Sequence, residues 1–295
     1  MNPDYRRYVD NEYKDHRVYM ALAGVERNGP RRKTLEKLAD VEGRHYRFWL
    51  LHIPGHKPSV SGAYIRLMVL LRMLFGVTFV VKLLENHEKK TLEQYKQLVL
   101  DEAFDNNSRD ALNKIIEEEG EIEKKLVSSI DEAVVRYLGF MMLGVADAIV
   151  ELTGVQAGFL GVTDSPLVAG IAGLIVGVAA AISMGAASYL QARQGMSEKP
   201  GVSGVVTGLL YMLTVIALAS PYFIIKDIFT AFASAITLAL LLIALLTFYT
   251  SVIQERSFRN EYLLNVSILL VVAFGTFFLG KLLGAYFGVG SLLPA

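Results

Sequence analysis

NEYKDHRVYMAL (residues 11–22) and HEKKTLEQYKQL (87–98) lie 76 positions apart, and that step places Glu12 over Glu88, Tyr19 over Tyr95 and Leu22 over Leu98. The same step carries VEGRHY (41–46) onto EEEGEI (117–122), so that Glu42 meets Glu118 and His45 meets Glu121. Two copies of one helical hairpin explain this pattern. Glu12 and Tyr19 are two helical turns apart and share a face, as do Glu88 and Tyr95. Glu42 and His45 stand at i and i+3, which points both side chains inward from adjacent turns.

Each hairpin thus brings an isolated Glu on its first helix and a Glu-x-x-His or Glu-x-x-Glu pair on its second. Four such helices have the inventory of a carboxylate-bridged two-metal site. The expected ligands are Glu12, Glu42, His45, Glu88, Glu118 and Glu121, with Tyr19 and Tyr95 behind them. Carboxylate oxygen with some imidazole suits iron or manganese better than copper or structural zinc. The register of the last pair is soft, because Glu117, Glu119 and Glu123 are neighbours able to take its place. His16, His52, His56 and His87 fall outside the pattern and read as surface or loop histidines.

Charge divides the 295 residues into two parts. Residues 1–133 carry 22 Lys+Arg and 22 Asp+Glu, whereas 134–295 carry 7 of each. Neither part has the basic excess that would attract nucleic acid. The absence of Cys excludes disulfides, thiolate zinc sites and cysteine nucleophiles. The N-terminal residues lack the apolar core of a signal peptide, so this end is expected in the cytosol.

Five apolar runs follow, near 136–161, 166–190, 203–224, 228–252 and 262–287, each long enough for a bilayer core that needs about 20 residues. Arg136, Arg193, Lys199, Arg256 and Arg259 occupy one set of joints, while Asp164, Lys226 and Asp227 occupy the other. The positive-inside bias puts the N-terminus in the cytoplasm and the C-terminus outside, with Lys281 dissenting. A further apolar stretch, 60–84, contains Arg66, Arg72 and Lys82, each costing roughly 2.5–3.5 kcal/mol near a bilayer centre. Spanning would also separate the two halves of the metal site. It is therefore expected to be one long helix, crossing within the bundle or lying on the membrane surface, after a break at 53–58.

Asp147 and Glu151 sit one turn apart in the first run. Burying both as ions costs on the order of 5–7 kcal/mol, which a mere anchor has no reason to bear, and a cation or proton pathway is the default reading. In the second run, Ser183-Met184-Gly185 adds a thioether that tolerates ferrous iron better than magnesium or calcium. Gly170, Gly173, Gly177, Gly185, Ala186 and Ala187 around it signal close helix packing.

On Glu12, Glu42-Gly-Arg-His45, Glu88 and the Glu118-to-Glu121 pair, residues 1–133 resemble the ferritin-like, rubrerythrin-type diiron family, departing from it at Glu121, where the family usually has a second His. On GVADAIVELTGVQAG (144–158) and AAAISMGAASYLQAR (179–193), residues 134–295 resemble the vacuolar iron transporter family. The resemblance implies an all-α chain: a cytosolic ferritin-like four-helix bundle followed by a five-helix transmembrane domain, forming a homodimer. It implies a prokaryotic plasma-membrane protein that exports ferrous iron or manganese in exchange for protons, with Asp147, Glu151 and Met184 lining the path. Two departures stand out. Ala187-Ser188-Tyr189 replaces the family's Gly-Glu-Tyr, and the loop at 194–202 is short where eukaryotic members carry a Glu-rich metal-binding domain. The N-terminal bundle would supply that capture of metal. The other expectation is a membrane-tethered diiron ferroxidase or peroxide-consuming enzyme.

Overall fold

The computed structural model describes residues 5–100, 105–122, 127–130, 132–195 and 199–288, with side chains described except at 87–90, 121 and 122. Among the described residues every regular element is helical. They form two compact units, residues 1–135 with 252–255, and residues 136–251 with 256–295.

In the first unit α1 (Tyr5–Val25) and α2 (Gly29–Leu51) form a tight hairpin. Asn28 caps α2 by accepting from the Arg31 amide, and Pro30 occupies the first turn, where its missing N–H costs nothing. The buried stripe of α1 runs Tyr8, Val9, Glu12, Asp15, Val18, Tyr19, Leu22 and Ala23, a helical period with two carboxylates set into it. That of α2 includes Leu35, Leu38, Glu42, His45 and Trp49. The acids therefore lie on the core faces of their helices.

The stretch 60–84 is not one helix. It breaks at Gly76 into α3 (Gly62–Phe75) and α4 (Val77–Leu98). Gly76 has φ +91°, which side-chain-bearing residues rarely adopt, and an added Cβ would come within 2.8 Å of a Glu132 carboxylate oxygen. That carboxylate accepts from the amides of Val77 at 3.0 Å and Thr78 at 2.8 Å. It caps the start of α4, where unpaired amides and the helix dipole favour an anion. At 14 residues, α3 is too short to span a bilayer.

Helix α5 (Asn106–Glu117) starts at Asp105, which accepts from the Ser108 amide, and runs directly into a π-helical turn, Glu118–Ile122. Tyr8 and Val9 of α1, Trp49 of α2, Tyr95 of α4, and Leu112 and Ile115 of α5 share one core. Tyr8, Trp49 and Tyr95 have ring centroids 4.9–5.0 Å apart pairwise. The four helices that carry the two sequence repeats thus meet in one aromatic cluster.

The second unit consists of α6 (Leu138–Leu160), α7 (Pro166–Gln194), α8 (Pro200–Ile224), α9 (Ile228–Gln254) and α10 (Phe258–Phe287), preceded by a single turn at Ala133–Arg136. All five are long and apolar enough to cross a bilayer, the pattern of a multi-pass membrane protein. Ala148, Ile149 and Leu152 of α6 pack with Ala181, Tyr211, Val215, Leu218, Ala239, Ile243 and Leu269 from the other four. Small residues allow this approach. A Cβ on Gly144 would stand 2.6 Å from the Thr207 carbonyl oxygen, and one on Gly204 would stand 2.8 Å from that of Gly185. Two polar side chains within the unit find backbone partners: the Thr207 hydroxyl lies 2.9 Å from the Ser203 carbonyl oxygen, and the Gln156 amide donates to the Leu218 carbonyl at 3.0 Å.

Candidate metal centre

Glu12, Glu42, His45 and Glu119 each offer a ligand atom, all within 4.8 Å of one another, and all four residues are buried. Such a cluster can hold a metal ion. Glu12 comes from α1, Glu42 and His45 from α2, and Glu119 from the π turn after α5.

His45 organises the cluster. It is fully buried, and its Nδ1 lies 3.1 Å from a Glu119 oxygen and 3.7 Å from a Glu12 oxygen. Its Nε2 lies 3.0 Å from Glu118, whose other oxygen accepts from Arg44 at 3.0 Å. Burial works against a charged imidazole, but the carboxylates of Glu118, Glu119 and Glu12 outweigh it and raise His45 well above its ordinary pKa. Glu118 is lowered to about 2, first by His45 and then, against burial, by Arg44. Burial alone would raise Glu12; hydrogen bonds to His45, Glu42 and Tyr95 bring it below the usual range. Tyr95 is buried and donates its phenol hydrogen to Glu12.

Glu12, Glu42, Glu118 and Glu119 are all buried, and ion pairs with His45 and Arg44 lie among them. A buried carboxylate is kept by pairing, by protonation or by a metal ion. Asp15, one turn after Glu12 and 3% exposed, shows the strain. Burial pushes its pKa up to about 7, Lys14 opposes this, and Glu12 and Glu119 add to it.

Among the described side chains, Glu118 of the expected Glu118-x-x-Glu121 pair lies against His45, and its neighbour Glu119 offers a ligand atom to the cluster. Glu118 and Glu119, adjacent in sequence, approach opposite ring nitrogens of His45. Both stand in the π turn that follows α5. Glu118 is in contact with His45, and the four clustered ligand atoms come from Glu12, Glu42, His45 and Glu119. The side chains of Glu88 and Glu121 lie outside the described residues, as does that of His87. Tyr19 is fully buried on the same face of α1 as Glu12. His16 and His52 bond the Ala39 and Phe48 carbonyls, and His56 meets Asp10 at 2.8 Å.

In the second unit Asp147 and Glu151 are on one face of α6 but have different surroundings. Glu151 accepts the phenol hydrogen of Tyr211 from α8. Asp147 instead opens into a cavity of about 330 Å³ between α6, α9 and α10, which Thr247 and Asn265 also line. Met184 packs against the core around Ile149 and Tyr211, and is not among the residues lining that cavity. Asp15 could have been found from its i+3 spacing to Glu12; nothing in the sequence singles out Tyr211, Thr247 or Asn265.

No protein-family model, curated protein or solved structure matches this chain.

Proposed function

We propose that this chain exports ferrous iron or manganese from the cytosol of a prokaryote, coupled to protons, and that its first unit is a ferritin-like domain that captures or senses the metal. The observation that carries the reading is Asp147, an acid within an apolar helix long enough to span, facing a cavity rather than a basic partner. Intramembrane acids mark ion pathways by default. The buried Glu12, Glu42, His45 and Glu119 cluster supports the capture role, and its oxygen-rich donor set favours Fe(II) or Mn(II). The sequence resemblance to the two metal-handling families supports both parts. On this reading the N-terminus is cytoplasmic, the C-terminus is outside, and the chain works as a homodimer in the plasma membrane.

Manganese uptake into proteoliposomes containing the full chain tests the proposal. Asp147→Ala abolishes uptake if the reading is right, and undiminished uptake by that variant removes it.

The tethered-ferroxidase reading draws on the Glu12–Tyr95 hydrogen bond beside the cluster. It requires catalytic Fe(II) oxidation by the full chain that Glu42→Ala abolishes, with Asp147→Ala without effect.

A further inference from the structure

Asp147 is nine residues into α6, Thr247 seven residues before the end of α9, and Asn265 seven residues after the start of α10. At 1.5 Å per residue all three lie about 10–14 Å from the same end of their helices, as alternating spans require. They line one cavity of about 330 Å³ whose remaining wall is apolar, including Ile243 and Ile268.

The polar groups are arranged, not scattered. The Asn265 amide donates to the Thr247 hydroxyl oxygen at 3.2 Å, which ties α10 to α9, and Thr247 is 2% exposed. The amide carbonyl of Asn265 carries no hydrogen bond among the described residues, and neither does the carboxylate of Asp147. Glu151 is engaged by Tyr211 and does not line the cavity. One carboxylate, one hydroxyl and one amide carbonyl therefore line the same cavity without any sulfur or imidazole.

We propose that this cavity is a cation site in which Asp147, Thr247 and Asn265 supply oxygen ligands to a hard divalent cation of the manganese class. An all-oxygen set favours such ions over thiophilic ones. The volume exceeds that of a bare ion several-fold, given about 30 Å³ per water, so the cation keeps part of its hydration shell there. Asp147 and Glu151 then have separate tasks: Asp147 meets the cation, and Glu151 holds the Tyr211 hydroxyl. This inference rests on the export reading for why a cation enters the unit.

The test is Mn2+ titration followed by electron paramagnetic resonance on the full chain in nanodiscs, carrying Glu42→Gln and Glu119→Gln to disable the first unit's cluster. The expected result is loss of binding in Asp147→Asn and at least tenfold weaker binding in Thr247→Val and Asn265→Leu. Thr247→Ser and Asn265→Asp, which keep an oxygen, bind like the parent. Asn265→Met, which brings in sulfur, shifts the preference from Mn2+ toward Cd2+. Parental binding in both Thr247→Val and Asn265→Leu overturns the ligand assignment. Transport without any bound Mn2+ in this unit overturns the site but leaves the export reading, and Mn2+ bound without transport does the reverse.

Discussion

His45 and Glu118 meet at 3.0 Å in the interior of the first unit, 73 positions apart in sequence, with Glu118 also held by Arg44. With Glu118 accepting from the Nε2 hydrogen, Nδ1 faces Glu12 and Glu119, where its lone pair becomes available to a cation that displaces its proton. Glu118→Ala is then expected to weaken Mn2+ binding to the cluster by about 10–100-fold through loss of that orientation. Glu42→Ala, which removes a ligand, weakens it further. Calorimetric titration of the two variants in detergent checks the order.

Asp15 gives the metal-free protein a pH dependence. Its pKa is raised from the ordinary 3.8 to about 7 in the folded state. A carboxyl raised in this way favours folding fully at pH values below the unfolded pKa, and that advantage is lost as pH rises through the folded one. Asp15→Asn therefore flattens the fall in stability between about pH 4 and pH 7, and the metal-free variant is the more stable by about 1–3 kcal/mol at pH 8. Chelator-treated protein melted across this range shows it.

Gly76→Ala puts a Cβ against Glu132 at a backbone angle suited to glycine. The cost is about 1–3 kcal/mol, read as a lower midpoint in thermal unfolding of the first unit. Glu132→Gln keeps the acceptor and loses the charge at the helix start, and costs about 1 kcal/mol or less.

Tyr95→Phe leaves the ring between Tyr8 and Trp49 but removes the hydrogen bond to Glu12. A bond to a charged acceptor contributes about 1.5–3 kcal/mol. The variant is expected to lose stability of that order without metal and less with Mn2+ bound, since the ion then satisfies Glu12. Denaturant titrations with and without Mn2+ separate the two cases.

Gly144→Val drives a side chain into the Thr207 carbonyl. Helix α6 then cannot hold its distance from α8, and the variant elutes as aggregate after detergent extraction while Gly139→Ala, at an open position, does not.

Much of this was readable in the sequence, for reasons tied to particular residues. Apolar runs set the five spans, because backbone in a bilayer must bond within its own helix. The 76-residue step marked Glu12, Glu42 and His45, which do converge. The break at Gly76 was hidden because apolarity continues through it and its cause, Glu132, is 56 positions away. The π turn was hidden because Glu117, Glu118, Glu119, Glu121 and Glu123 form a tract in which a one-residue change of register looks the same. Thr247 and Asn265 are single polar residues in apolar helices, and only the folded arrangement pairs them with Asp147.

The Glu132 carboxylate on the first two amides of α4 also has a mechanical meaning. Residue 132 stands just before the chain leaves the first unit, and it grips the helix that carries Tyr95 to Glu12. These hydrogen bonds join residue 132 to α4 directly, bypassing the 33 residues that separate its end from Glu132. The latch is two hydrogen bonds strong, and about 27 Å of one helix separates it from the hydroxyl that holds Glu12.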